Sequence, residues 1–281
     1  PYPSQEFLDD WLLRTCELVR DYQPEILYFD WWIQHVAFKE HMKLFAAYYY
    51  NLGEASGKPT SICYKHDALA FGAGIVEVER GGFAEIQPFT WQTDTAIARN
   101  SWSYTEHLDY KSAKEIIQTL IDVVSKNGNL LLNIGPKGDG TIPEKDQEIL
   151  REIGAWLQVN GQAIYDSRAW RQFGEGPTQV DSGPFSDGNN TPYTNQDFRF
   201  TAKGGAVYAF LMEPAVNQWL TIQALADERE NPASRFHGII EEISLLGYDD
   251  ALEWEQTPQG LRLFMPNVAA DLPLVLKVRL R

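Results

Sequence analysis

The chain has 281 residues, 44% of them hydrophobic, enough for one large domain or two ordinary ones with a proper core, so disorder and collagen-like repeats are excluded. Lys and Arg number 24 against 39 Asp and Glu, a net charge of -15, which argues against nucleic acid or an anionic membrane as partner and favours a neutral or cationic one. No apolar run approaches the roughly 20 residues of a membrane span, and Pro1 opens without the regions of a signal peptide. Cys16 and Cys63 are too few for a disulfide framework and lie in no paired metal-ligand spacing; they read as buried thiols. Nine Trp, 13 Tyr and 14 Phe in an acidic chain suit a carbohydrate site, where sugar faces stack on rings and carboxylates work on the glycosidic bond.

In chain order, residues 5–21 carry Phe7, Leu8, Trp11, Leu12, Cys16 and Val19 at helical spacing, and Asp21 and Pro24 stop the helix before the apolar run 26–29, a buried strand. A second helix is expected over 40–52, a loop over 53–59 and a strand over 60–64. Ser112 and Glu115 form a capping box ahead of Ile116, Ile117, Leu120, Ile121 and Val124, and Asn127-Gly128 closes that helix. A buried strand follows at 130–134. Thr141 and Glu144, with Pro143 in the first turn, then open a helix whose Ile149, Leu150, Ile153, Trp156 and Leu157 share one face and which ends at Asn160-Gly161. Alternating strands and helices define α/β architecture. Beyond Trp170 the pattern changes. Residues 174–195 are rich in Gly, Pro, Asp, Ser and Asn and read as a linker, with a short strand expected at 179–181. Runs at 198–201, 206–212, 219–223, 239–246, 261–265 and 274–280 then predict an antiparallel β-sandwich. The expected division is 1–170 and 171–281.

Two strand ends concentrate carboxylates. ILYFDWW at 26–32 places Asp30 at the carboxyl end of a parallel strand, where a (β/α) barrel keeps its catalytic groups; the alternative is a cap on the next helix. IVEVERGG at 75–82 puts Glu77 and Glu79 on one side of a strand, either as partners of Asp30 or as a solvated edge. GPKGDG at 135–140 lacks the Lys-Ser/Thr ending of a phosphate-binding loop and reads as a tight turn, so nucleotide binding is rejected. His35, His41, His66, His107 and His237 show no metal-ligand spacing and read mostly as surface residues, His66 standing at a strand end beside Tyr64 and Lys65. The acidic loop 181–190 lacks a calcium-loop sequence. Neither a cofactor nor a metal is expected.

YQPEILYFDWW, ERGG, WQTDTAIARNSWSY, SKNGNLLLNIGPKGDGTIP and GAWLQVNGQAIYDSRAW, in that order, resemble glycoside hydrolase family 29, the α-L-fucosidases, over roughly residues 1–170. The resemblance implies a (β/α)8-like TIM barrel, here only its later strands, followed by a C-terminal antiparallel β-sandwich. It implies a retaining exo-α-L-fucosidase acting on a fucosylated oligosaccharide or glycoconjugate, with Asp30 as nucleophile. Glu79, 49 residues further on, is the expected general acid/base, with Glu77 and then Glu85 as alternatives. Relatives often carry Trp-Glu where this chain has Trp91-Gln92, so no carboxylate carries over at that place. Trp31, Lys65, His66 and Trp91 are the expected substrate contacts, with Phe89 beside them, while Trp102 and Trp156 are read as core. Other readings are a non-catalytic carbohydrate-binding fragment of the same lineage and an exo-glycosidase acting on galactosides. About 166 residues fall short of a barrel of roughly 250 by about three βα units, so a missing N-terminal segment or another chain is expected to complete it. A homo-oligomer is compatible with the sequence. No signal names a compartment, with a periplasmic or secreted location favoured over the cytoplasm.

Overall fold

In the computed structural model, which describes residues 2–188, 191–227 and 236–281, contacts divide the chain into two compact units. One runs to Glu79 and includes Thr90–Gln92; the other comprises Arg80–Phe89 and Thr93–Arg281.

The first unit alternates helix and strand. Helix α1 (Gln5–Tyr22) starts at Ser4, whose hydroxyl accepts from the Phe7 amide, and ends where Gln23 turns left-handed. Strand β1 (Ile26–Tyr28) follows, then α2 (Lys39–Ser56), closed by left-handed Gly57, then β2 (Ser61–Lys65) and β3 (Ile75–Glu79). The three strands are parallel, with Tyr28 beside Cys63 and Lys65 beside Glu77. Alternation sorts their side chains. Leu27, Ile62, Tyr64 and Val76 turn toward the helices and pack with Leu8, Val19, Phe45 and Tyr49, while Tyr28, Cys63, Lys65, Glu77 and Glu79 take the other face. Strand β4 (Trp91–Ala96) begins in this unit with Trp91 and Gln92.

In the second unit the rest of β4 lies beside β5 (Gly128–Asn133). The expected capping box opens α3 (Ala113–Ser125), with the Ser112 hydroxyl accepting from the Glu115 amide and the Glu115 carboxylate accepting from the Ser112 amide. The GPKGDG turn leads to α4 (Glu144–Asn160). The remaining strands are β6 (Arg168–Glu175), β7 (Phe198–Lys203), β8 (Ala206–Leu211), β9 (Gln218–Ile222), β10 (Ile240–Leu245), β11 (Trp254–Thr257), β12 (Gly260–Met265) and β13 (Leu274–Leu280). They form two antiparallel sheets, ordered β10-β13-β8-β7-β6 and β11-β12-β9.

Every residue of β8 is buried. Val207, Ala209 and Leu211 face the sandwich core, and Ala206, Tyr208 and Phe210 face Ile117, Ile121, Ile153 and Trp156 of α3 and α4. The unbroken apolar run at 206–212 is thus the mark of a strand covered on both sides. Contacts therefore join α3 and α4 to the sandwich, whereas the division at 170/171 separates the chain by fold type.

Strands β4, β6 and β11 escape the sequence patterns because WQTDTA, RAWRQFGE and WEQT carry too few apolar residues to stand out. Residues 179–181 form no strand; the chain there passes to Gly183, which bridges Gly82. The acidic loop 181–190 ends in Asn189 and Asn190, which lie outside the described residues. Of the histidines, His41 is buried against Asp9 at 2.9 Å rather than at the surface. Trp102 is half-buried with the Arg80 guanidinium 4.1 Å from its ring centre, rather than core, whereas Trp156 is core and donates to the Pro273 carbonyl.

A buried ion cluster ties α3 to β7. The Asp122 carboxylate accepts from Lys126 at 2.6 Å and from Arg199 at 2.7 Å, and both cations lie almost wholly out of water. Removing the anion takes the shared carboxylate from two buried cations, which costs about 3–5 kcal/mol. Asp122→Ala is therefore expected to lower stability in urea unfolding by about that amount, against about 1 kcal/mol for Ser112→Ala at the exposed cap. Equal losses from the two variants would contradict this ranking.

Candidate active site

The polar face of the first unit's strands gathers its charge at their carboxyl ends. Asp30 follows β1 and occupies the cap position of the short 3-10 helix Trp31–Gln34, yet its side chain makes no capping hydrogen bond. Its carboxylate turns instead to Lys65, with Nζ 3.3 Å from Oδ1. Lys65 is the last residue of β2 and donates to Glu79 Oε2 at 2.7 Å. One ammonium thus lies between two carboxylates from neighbouring strand ends, and its nitrogen is 5.7 Å from the centre of the Tyr28 ring. Because both oxygens contact the same nitrogen, they lie within about 6 Å of each other.

The three charges differ in their access to water. The Lys65 side chain is 5% exposed, Glu79 22% and Asp30 57%. A buried ammonium needs anionic partners, since an unpaired one loses several kcal/mol of hydration. Glu77 sits one alternation deeper than Glu79, is buried, and accepts from Gln92 Nε2 at 2.6 Å. Neither glutamate belongs to a solvated strand edge. Glu77 also acts on Cys63: burial first, and the Glu77 charge second, push that thiol up to about 11 from 9.0.

The expected contacts separate. The Trp31 and Trp32 rings stack on one another at 4.1 Å and are 39% and 64% exposed, so Trp31 stands directly after Asp30 with surface open to a ligand. His66 is exposed, with its backbone in the left-handed region at φ 54, directly after Lys65. Trp91 is corrected as a sugar contact: its ring is 0% exposed and presents no face. Gln92 turns to Glu77, and strand alternation sends its neighbour Trp91 the opposite way. Glu85 and Phe89 belong to the second unit, where Glu85 is exposed and its charge acts on Lys126. Two participants were not foreseen, Tyr28 and Gln92. Period-two alternation back from Asp30 is the signal that marks Tyr28, whereas the polar run of β4 carries none that marks Gln92. Among the described residues no cluster of His, Cys, Asp and Glu could hold a metal ion.

A family model described as Alpha-L-fucosidase matches residues 2–162, more than half of the chain. The chain belongs to the α-L-fucosidase family. A second model, Alpha-L-fucosidase C-terminal domain, matches residues 190–278. Plasma alpha-L-fucosidase of Rattus norvegicus is 29% identical over 277 residues, covering 90% of this chain and 51% of the relative. Plasma alpha-L-fucosidase of Homo sapiens is 34% identical over 175 residues, covering 55% of this chain and 34% of the relative. The solved Thermotoga maritima alpha-fucosidase in complex with fucose superposes with a TM-score of 0.73 at 25% identity, covering 98% of this chain and 57% of its own. Against the rat relative and the Thermotoga structure, this chain spans a little over half the partner's length, and against the human relative about a third. Helices alternating with parallel strands, followed by antiparallel sheets, in a chain matched by both family models, agree with the barrel-and-sandwich fold that the motifs imply.

The pairing of Cys63 with buried surroundings has a consequence for alkaline stability. Burial likewise pushes the Tyr49 hydroxyl, in the same unit, up to about 12 from 10.0. Both groups hold their protons more tightly folded than unfolded, so the stability they supply is complete below pH 9 and is lost as pH rises through about 11 and 12. Unfolding followed by near-ultraviolet circular dichroism should show a loss beginning near pH 9, and Cys63→Ala should flatten its first part. An unchanged profile in that variant would refute the assignment.

Proposed function

We propose that this chain carries the catalytic pair of a retaining exo-α-L-fucosidase that removes terminal α-L-fucose from fucosylated glycans. The observation that supports it is the Asp30–Lys65–Glu79 bridge. Carboxylate oxygens within about 6 Å match the roughly 5–5.5 Å separation of retaining glycosidases better than the roughly 6.5–9.5 Å that admits a water in inverting ones. Membership in the α-L-fucosidase family supplies the sugar.

Asp30, the more solvated carboxylate, attacks the anomeric carbon while the bond to the leaving oxygen breaks and that oxygen takes the proton of Glu79. A fucosyl ester on Asp30 results. Glu79 then removes a proton from water, the water oxygen attacks the same carbon, and Asp30 leaves as the carboxylate. Two inversions leave the configuration unchanged. Lys65 holds the two carboxylates at the strand ends, 2.7 Å from Glu79 and 3.3 Å from Asp30. Glu77, deeper in the strand and accepting from Gln92 Nε2, fits a supporting role. The exposed Trp31 ring offers an apolar surface for the C5 methyl that separates fucose from galactose.

The protein should release the aryl group from an aryl α-L-fucoside and much less from the matching α-L-galactoside. Glu79→Ala should lose about 10²–10⁴-fold on a substrate with a poor leaving group and recover with azide on an activated one. No release by well-folded protein, or azide rescue of Glu77→Ala or Glu85→Ala instead, would overturn the reading.

A further inference from the structure

Indoles outside the core are treated in two ways in this chain. Trp102, Trp170 and Trp219 each carry a guanidinium, with Arg80, Arg171 and Arg262 at 4.1, 4.6 and 5.0 Å from the respective ring centres. A cation so placed covers one face of the ring. Trp31 and Trp32 differ. Their rings stack on one another at 4.1 Å with 23° between the planes, and among the described residues no cation lies over either.

The backbone fixes where this pair points. The 3-10 helix Trp31–Gln34 has three residues per turn, so consecutive side chains diverge by about 120°. Ile33 is the one that turns inward, joining Phe38 and Met42 in the core beneath α1 and α2. Its predecessor Trp32 is thereby turned out, 64% exposed. The turn is closed by the His35 amide, which donates to the Trp32 carbonyl at 3.2 Å, and the next one by the His35 ring, whose Nδ1 accepts from the Ala37 amide at 3.2 Å. One face of Trp32 is occupied by Trp31, and the other is open to water.

That open face lies close to the candidate nucleophile. Asp30, Trp31 and Trp32 are consecutive, so the Cα atoms of Asp30 and Trp32 are at most about 7 Å apart. The Asp30 side chain is 57% exposed, which leaves room for a glycan to run outward from a sugar held at its carboxylate. With the fucosyl unit against Trp31, the next apolar surface in the same segment is Trp32. A pyranose ring presents a C–H face that an indole face can cover, and the leaving group of a fucosylated glycan is a pyranose.

We propose that Trp32 is the leaving-group platform of this site, holding a pyranose beyond the scissile linkage against its open face. The proposal rests on the reading of Asp30 and Glu79 as the catalytic pair and adds the substrate class: fucosylated oligosaccharides are favoured over fucosides with small leaving groups. The stack on Trp31 orients the ring before the glycan arrives, so little side-chain freedom is lost on binding. A sugar held there is bound in the ground state and the transition state alike, so the platform acts on kcat/KM chiefly through KM.

The test compares kcat/KM for α-L-fucosyl fluoride, whose leaving group is a single atom, with kcat/KM for 2′-fucosyllactose, 3-fucosyllactose and α1,6-fucosyl-N-acetylglucosamine. Wild type, Trp32→Ala and Trp32→Phe of the 281-residue chain are measured. For the best oligosaccharide, its ratio to the fluoride should fall about tenfold in Trp32→Ala through a higher KM, and Trp32→Phe, which keeps a flat ring, should restore most of it. An unchanged ratio in Trp32→Ala overturns the proposal, as does a wild type that hydrolyses the fluoride and none of the oligosaccharides. A change of oligomeric state in Trp32→Ala at an unchanged ratio also overturns it, since the ring would then serve contact between copies. Hydrolysis of neither kind of substrate by folded protein overturns the catalytic reading itself, and the platform falls with it.

Discussion

An ammonium group taken out of water loses several kcal/mol of hydration, and Lys65 survives at 5% exposure because two carboxylates and the Tyr28 ring surround it. That requirement organises the end of the sheet. Asp30 follows β1, Lys65 ends β2 and Glu79 ends β3, so three successive strands must finish at the same level and in register for the charges to meet. A slip of one residue in β3 would turn Glu77 and Glu79 toward the helices and take the Glu79 carboxylate away from the ammonium. The energetic demand of one buried cation and the pleat of a parallel sheet thus select the same pairing. The catalytic proposal uses that selection, since the groups that neutralise Lys65 are those proposed to attack the sugar and to move the proton.

A comparable logic governs the second unit. Strand β8 is buried on both faces, so the sandwich core on one side and α3 and α4 on the other are built on the same backbone. The polar counterpart is the Asp122–Lys126–Arg199 cluster, where α3 meets β7. Apolar burial supplies most of the association there, and the ion cluster specifies which residues of helix and strand come together. The outer sheet, by contrast, buries one face only, which is why an aromatic residue such as Trp219 can remain at the surface.

Much of this was legible in the sequence because it depends on local patterns. The capping box at Ser112 and Glu115, the apolar runs of β1, β2 and β8, and the strand-end position of Asp30 each report a single element. Polar strands were not legible: WQTDTA in β4 offers no apolar alternation, because its hydrophilic residues are buried by neighbours that lie far off in the chain. The same gap misplaced Trp91. Proximity in sequence to an active-site motif suggested a sugar contact, but the facing of a strand residue follows from register, and the Gln92–Glu77 hydrogen bond is a register fact. The bridging geometry of Lys65 was likewise out of reach, since it needs three strand ends at once, although a basic residue at that strand end was marked as a charge contact.

The central claim is that Asp30 forms the covalent bond to the sugar, and trapping tests it most directly. The protein is incubated with 2-deoxy-2-fluoro-α-L-fucosyl fluoride, whose fluorine slows hydrolysis of the intermediate, then digested and mapped by peptide mass spectrometry. The account predicts a single fluorofucosyl adduct on Asp30, within the peptide that carries Tyr28 and Trp31. An adduct on Glu77, Glu79 or any other residue, or none on folded protein that hydrolyses an aryl fucoside, would contradict it.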